Sequence, residues 1–145
     1  MPGLALTRGA LWVASSRANL LTKIDTATNH VAGTLATDPT PLPVAYAYGS
    51  VWVRNEFKEG NGTVQRVDPT SGDTIPVGPV AGRDGIDGLA ALDGGLWVAG
   101  LQLERIDPTT NRVVRRINHT CGAATAGAGA LWTLDLAYAV SRITP

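Results

Sequence analysis

Gly9-Ala10-Leu11-Trp12 returns as Gly49-Ser50-Val51-Trp52, Gly94-Gly95-Leu96-Trp97 and Gly129-Ala130-Leu131-Trp132, and these phrases hold all four tryptophans of the 145-residue chain. The indoles stand 40, 45 and 35 residues apart. A repeat of that length made of short strand-like runs signals a radially repeated sheet, because one unit cannot bury its apolar face alone and must stack on its neighbours.

The rest of each unit follows from the tryptophan. Eight residues before it lies Leu4, Val44, Leu89 or Ala124, each inside a short run of small and apolar residues. This is the expected first strand, where strands converge on a crowded axis. Glycine then makes a tight hairpin that needs positive φ, and the tryptophan sits in the second strand. The third strand ends in Leu21-Thr22-Lys23-Ile24-Asp25, Val64-Gln65-Arg66-Val67-Asp68, Leu103-Glu104-Arg105-Ile106-Asp107 and Val140-Ser141-Arg142-Ile143-Thr144. Its alternation predicts apolar residues against a neighbouring sheet and the basic residue turned outward. Asp25-Thr26-Ala27-Thr28-Asn29, Asp68-Pro69-Thr70-Ser71-Gly72 and Asp107-Pro108-Thr109-Thr110-Asn111 carry the chemistry of a type I turn with a left-handed residue at its exit. A fourth strand follows, and Pro76 within one of them fits an outer edge, since proline cannot donate to a ladder.

Four strands per repeat with no helical periodicity predict an all-β chain of four consecutive β-propeller blades, spanning residues 3–37, 43–81, 88–118 and 123–145. The last blade is incomplete, with three strands, so the chain reads as a partial ring. The indoles pack between blades, and the end blades expose apolar faces. Three arrangements accommodate this: part of a longer ring, a half-ring that pairs with a second copy, or a small four-bladed ring.

The pattern Gly-Ala-Leu-Trp-Val-Ala, followed by Leu-x-Arg-Ile-Asp-Pro-x-Thr-x-x-Val, resembles the bacterial YVTN/NHL-type propeller repeats, among them the streptogramin (virginiamycin B) lyase-like group. The resemblance runs over essentially the whole chain through the four tryptophans and Asp25, Asp68 and Asp107. It implies the propeller fold, and an extracytoplasmic location is in keeping with it. The same scaffold hosts enzymes, sensors and adaptors. The lyases of the group use histidine and glutamate on one face of the ring, whereas this chain offers His30 and His119 and no His-x-Glu or Glu-x-His arrangement.

Twelve basic and twelve acidic residues give a formal net charge of +0, so no basic stripe addresses nucleic acid. No apolar run of about 18 residues predicts membrane insertion. Cys121 is the single cysteine and forms no internal disulfide.

Function is expected in the loops joining the second strand to the third and in the connections between blades, where the repeat is broken. The longest insertion supplies Asn55, Glu56 and Phe57, an aromatic beside charges, as ligand-binding candidates. Arg83, Asp84 and Asp87, set among glycines, form the second group. The leading expectation is a binding module presenting these loops, at one end of a central channel, to a small molecule or a protein partner without a cofactor. Self-association through the end blades is a further expectation. The alternative is a metal-assisted lyase or lactonase, with Asp84 and Asp87 as oxygen ligands for Mg²⁺ or Ca²⁺ and with His119 and Asp135 as catalytic candidates.

Overall fold

The computed structural model describes residues 3–56, 61–81 and 88–145, with the side chain of Asn61 excluded. Its strands form four antiparallel sheets, each a meander in chain order. Blade 1 comprises β1 (Leu4–Thr7), β2 (Ala10–Ser15), β3 (Leu20–Asp25) and β4 (Val31–Ala36). Blade 2 comprises β5 (Pro41–Ala47), β6 (Ser50–Glu56), β7 (Asn61–Val67) and β8 (Thr74–Ala81). In blade 3 the strands are β9 (Gly88–Leu92), β10 (Gly95–Ala99), β11 (Leu103–Asp107) and β12 (Arg112–Ile117). Blade 4 has three: β13 (Ala123–Gly127), β14 (Ala130–Leu134) and β15 (Val140–Ile143).

The turns form as their residues dictate. Gly9, Gly49, Gly94 and Gly129 all have φ between +68° and +86°, in the hairpin from first to second strand. No atom lies within 4 Å of where a Cβ would stand at these four positions, so backbone conformation alone selects glycine there. At the opposite edge of the third strand, one carboxylate oxygen of Asp25 accepts from the amides of Ala27 (2.8 Å) and Thr28 (2.9 Å). Asp68 does the same for Thr70 and Ser71, and Asp107 for Thr109. Asn29, Gly72 and Asn111 then take the left-handed conformation.

These hydrogen bonds hold all three carboxyls below their ordinary value of 3.8, through the amides of Thr28 and Ser71 first for Asp25 and Asp68 and the hydroxyl of Thr109 first for Asp107. The unfolded chain therefore takes up these protons first. The stabilisation is complete above the ordinary carboxylate value and disappears as pH falls through the lower folded values. A melting temperature flat above about pH 5 and falling steeply below about pH 4 is expected. Asp68→Asn should flatten part of that acid limb, which differential scanning calorimetry against pH will read.

Consecutive blades pack face to face. Trp12, Ala14 and Leu21 of blade 1 meet Val51, Val53 and Val67 of blade 2. Trp52, Val64 and Val77 of blade 2 meet Leu96, Val98 and Ile106 of blade 3. Trp97, Ala99 and Leu103 of blade 3 meet Leu131, Ala124 and Ile143 of blade 4. Each blade thus has a tryptophan face turned to the next blade and an aliphatic face turned to the previous one. Inner strands come close enough to exclude bulk: a Cβ on Gly88 would stand 2.5 Å from the amide nitrogen of Ala124.

Trp12, Trp52 and Trp97 are at most 1% exposed, as packing between blades requires, whereas Trp132 on the last blade is 37% exposed. The basic residues of the third strand do not turn outward as the alternation suggested. Trp12 pairs across the sheet with Lys23, Trp52 with Arg66, Trp97 with Arg105 and Trp132 with Arg142, so indole and cation share a face. Lys23 Nζ stands 5.3 Å from the Trp12 ring and donates to the carbonyl of Pro69 in the next blade (2.7 Å). Arg66 stands 5.1 Å from the Trp52 ring and donates to the carbonyl of Pro108 and to Asn111 Oδ1 (3.0 Å), again in the next blade. Lys23 and Arg66 thus latch neighbouring blades, whereas Arg105 donates to the Asp93 carbonyl of its own blade (3.0 Å).

Candidate functional site

An antiparallel meander brings the loops between second and third strands to the same end as the connections between blades, and hydrogen bonds join the two sets. The Thr37 amide donates to the Asn19 carbonyl and the Thr40 amide to Asn19 Oδ1 (both 3.0 Å). The Glu56 amide donates to the Thr40 carbonyl, and the Cys121 amide to that of Gly100. Thr120 Oγ1 donates to the Leu101 carbonyl (2.9 Å). The described parts of the two groups of loops are thus joined at one end, opposite the end carrying Asp25, Asp68 and Asp107.

Polar side chains are buried toward this end of blades 2 and 3. Arg54, Asn55, Glu56 and Glu104 are all under 9% exposed. Arg54 Nη1 lies 3.4 Å from Glu56 Oε1, and both residues make additional contacts. Asn55 turns to the other face of β6, where its Nδ2 donates to Gln65 Oε1 (3.0 Å) and Thr63 Oγ1 (3.4 Å). Thr63 in turn donates to Asp38 Oδ2 (2.6 Å), and Gln65 Oε1 also receives the Asp38 amide (2.9 Å). This network fastens the connection between blades 1 and 2 onto blade 2. Glu104 accepts the Ala81 amide and Arg116 Nε, both at 2.7 Å, and so fastens the end of blade 2 onto blade 3.

Of the residues singled out by sequence, Asn55 and Glu56 therefore lie at the end of a strand inside this polar network. Phe57, Arg83, Asp84 and Asp87 fall outside the described residues. His119 is half-buried, with Nε2 2.8 Å from Thr133 Oγ1. Asp135 Oδ1 accepts the amides of Ala137 and Ala139, both at 2.8 Å, and shapes the turn between β14 and β15. Among the described residues no three His, Cys, Asp or Glu side chains are grouped to hold a metal. Sequence reasoning missed Arg54 and Glu104, although a signal was present. The column of Arg54 otherwise reads Ala14, Ala99 and Leu134, and that of Glu104 reads Thr22, Gln65 and Ser141. A charge replaces a small, apolar or neutral residue in each.

Cys121, at the start of blade 4, is fully buried. Burial pushes its thiol up, against smaller opposing effects of the Gly100 hydrogen bond and the Arg54 charge. Native protein should react with a disulfide reagent about 100-fold or more slowly than denatured protein, a difference set by local opening. Rapid stoichiometric labelling in buffer would contradict this burial.

Four successive four- or three-stranded meanders, stacked tryptophan face to aliphatic face, decide the architecture. The fold is a β-propeller. No family model and no curated protein matches the sequence. Solved propellers do match in structure. The chain is similar to the computationally designed Ika4 protein at 13% identity, covering 97% of this chain and 88% of that one with a TM-score of 0.80. It is similar to hydrazine synthase of Kuenenia stuttgartiensis at 16% identity, over 97% of this chain and 48% of that one, with a TM-score of 0.72. A chain of a nidogen/laminin complex matches at 14% identity over 99% of this chain and 64% of that one, with a TM-score of 0.71. The propeller segment thus spans about half of the hydrazine synthase chain and just under two thirds of the nidogen/laminin chain. At these identities the likeness is one of fold.

Proposed function

We propose that this propeller segment is a binding module whose contact surface is the loop end of blades 2 and 3. Asn55, Glu56, Phe57, Arg83, Asp84 and Asp87 are its candidate contacts to a small molecule or protein partner. The observation that carries this reading is the buried polar set of Arg54, Asn55, Glu56 and Glu104 toward that end. Taking charges out of water costs several kcal/mol per ion before pairing offsets it. The scaffold itself does not demand such groups, because blades 1 and 3 put Ala14 and Ala99 where blade 2 has Arg54. Polar groups retained at the margin of a loop surface make sense as supports that hold neighbouring loops in one geometry.

The likeness to YVTN/NHL-type and streptogramin lyase-like repeats rests on the Gly-x-x-Trp phrase and the turn aspartates. Those residues serve hairpins and packing between blades, so they speak for a scaffold and leave activity open. His119 Nε2 and Asp135 Oδ1, from the catalytic candidates of the lyase or lactonase alternative, are engaged by Thr133 and by the amides of Ala137 and Ala139, contacts that serve loop structure.

The test is a fragment screen followed by amide chemical shifts on isotopically labelled protein, with Ca²⁺ and Mg²⁺ titrated separately. Binding shifts should gather on Thr37–Thr40, Glu56 and Gly100–Gln102 and weaken in Glu56→Gln. Shifts gathering instead on the turns of Asp25, Asp68 and Asp107 would overturn the proposal.

A further inference from the structure

The two end faces of the arc are the two halves of an interface that the molecule already builds three times. On blade 1, the aliphatic face presents Leu4, Leu11, Val13 and Ile24, in the positions where blade 2 places Val44, Val51, Val53 and Val67 against Trp12. Among the described residues no blade covers it, and Leu4 and neighbouring Leu6 are 59% and 66% exposed. On blade 4, the tryptophan face presents Trp132, Leu134 and Val140, where blade 1 places Trp12, Ala14 and Leu21. Among the described residues no blade covers it either, and Val140 is 68% exposed. A cleft of about 290 Å³ lies open on it, walled by Ala123, Thr125, Trp132, Leu134 and Val140. Exposed apolar faces of this kind mark contact surfaces.

The latch is repeated as well. Arg142 stands 5.8 Å from the Trp132 ring, as Lys23 and Arg66 stand over theirs. Those two reach the carbonyls of Pro69 and Pro108, and Arg66 also reaches Asn111 Oδ1. Among the described residues Arg142 Nη1 donates only to the nearby hydroxyl of Thr144, at 3.3 Å. The positions in blade 1 that correspond to Pro108 and Asn111 are Thr26 and Asn29, both exposed in the turn after β3.

We propose that a second copy of this chain covers these faces. The Trp132 face of one copy seats on the Leu4/Leu6/Leu11/Val13 face of the other, and Arg142 reaches the Thr26 carbonyl and Asn29 Oδ1 of that copy. Such a contact is heterologous, so it must close into a ring or run on as a filament. Two copies supply eight blades, within the roughly 4–8 of closed propellers, whereas three copies would supply twelve. The pair is therefore a closed ring with two identical junctions. This surface is separate from the loop end, and either proposal stands without the other.

Sedimentation velocity on the full chain at roughly 100 μM tests it. The expected species is a dimer, twice the 15.1 kDa chain mass. Leu6→Glu and Leu134→Glu lie on opposite end faces, both exposed enough to leave folding intact by circular dichroism. Each alone should weaken association at least tenfold, because each spoils both junctions of a homodimer. Their equimolar mixture should recover a heterodimer through the one junction that keeps two native faces. Arg142→Ala should weaken pairing about fivefold to tenfold, while Arg112→Ala, exposed on the outer strand of blade 3, should leave it unchanged. A monomeric wild type, a filament, or a dimer that survives Leu6→Glu would overturn the proposal, the last because it would mean that blade 4 pairs with blade 4.

Discussion

Trp52→Ala should cost about 3–5 kcal/mol, a loss that consumes much of the stability of an ordinary domain. Three contributions disappear together. The fully buried indole fills the space between blades 2 and 3 among Val64, Val77, Leu96 and Val98. Its Nε1 donates to the Ala47 carbonyl at 2.9 Å. Its ring also carries the Arg66 guanidinium that latches blade 2 to blade 3. The surrounding strands cannot close over the void, because both faces of β6 are already packed. Trp132→Ala removes the same side chain from the same repeat position, yet this indole is 37% exposed, so its cost should be about 1 kcal/mol or less. Urea unfolding midpoints decide this, both variants being made in the Leu6→Glu background so that association between copies does not contribute. Equal costs would mean that the indole stabilises each blade from within and that packing between blades is secondary.

Arg54→Ala should cost a further 3–5 kcal/mol by a different mechanism, the loss of one partner from a buried charge pair. Arg54 is fully buried, and its Nη1 lies 3.4 Å from a Glu56 carboxylate that is itself 10% exposed. Removing the guanidinium takes one charged contact from that carboxylate in a low-dielectric setting and opens a cavity beside the packed Trp52 face. Replacing both members, Arg54→Met with Glu56→Met, should recover at least half of the lost stability, since a well-packed apolar substitute for a buried pair is often neutral. Thermal melts of the three proteins give the answer. If the double variant folds like the wild type but no longer shows fragment shifts on Thr37–Thr40 and Gly100–Gln102, stability and binding have been separated at one position. A single Arg54→Ala change that costs under about 1 kcal/mol would show that water reaches the pair.

The scaffold was legible because its signals are local. Glycine at a positive-φ hairpin position, aspartate capping a turn and tryptophan in the second strand each depend on a few neighbouring residues, and the four glycines, the four tryptophans and the three turn aspartates agree. Facing directions were less legible. The step from tryptophan to the paired basic residue is 11, 14, 8 and 10 residues in blades 1 to 4, because the loop between them varies. Counting along the chain therefore gives no consistent parity. Cross-strand register alone puts Lys23 and Arg66 on the indole face. The loop end was partly legible: Asn55 and Glu56 read as members of a polar insertion, and the structure extends β6 through both and buries them. Arg54 and Glu104 announce themselves only when the repeats are compared column by column.

By itself the sequence determined how often the sheet repeats, where each hairpin turns and which residues face water in the turns, all consequences of backbone preference within about five residues. Tertiary structure decided the rest: which neighbour each cation latches, which polar groups are enclosed, and which two faces are left over. Those outcomes depend on pairings between residues tens of positions apart, and stacking blades one on the next necessarily leaves the first and last with a complementary face each.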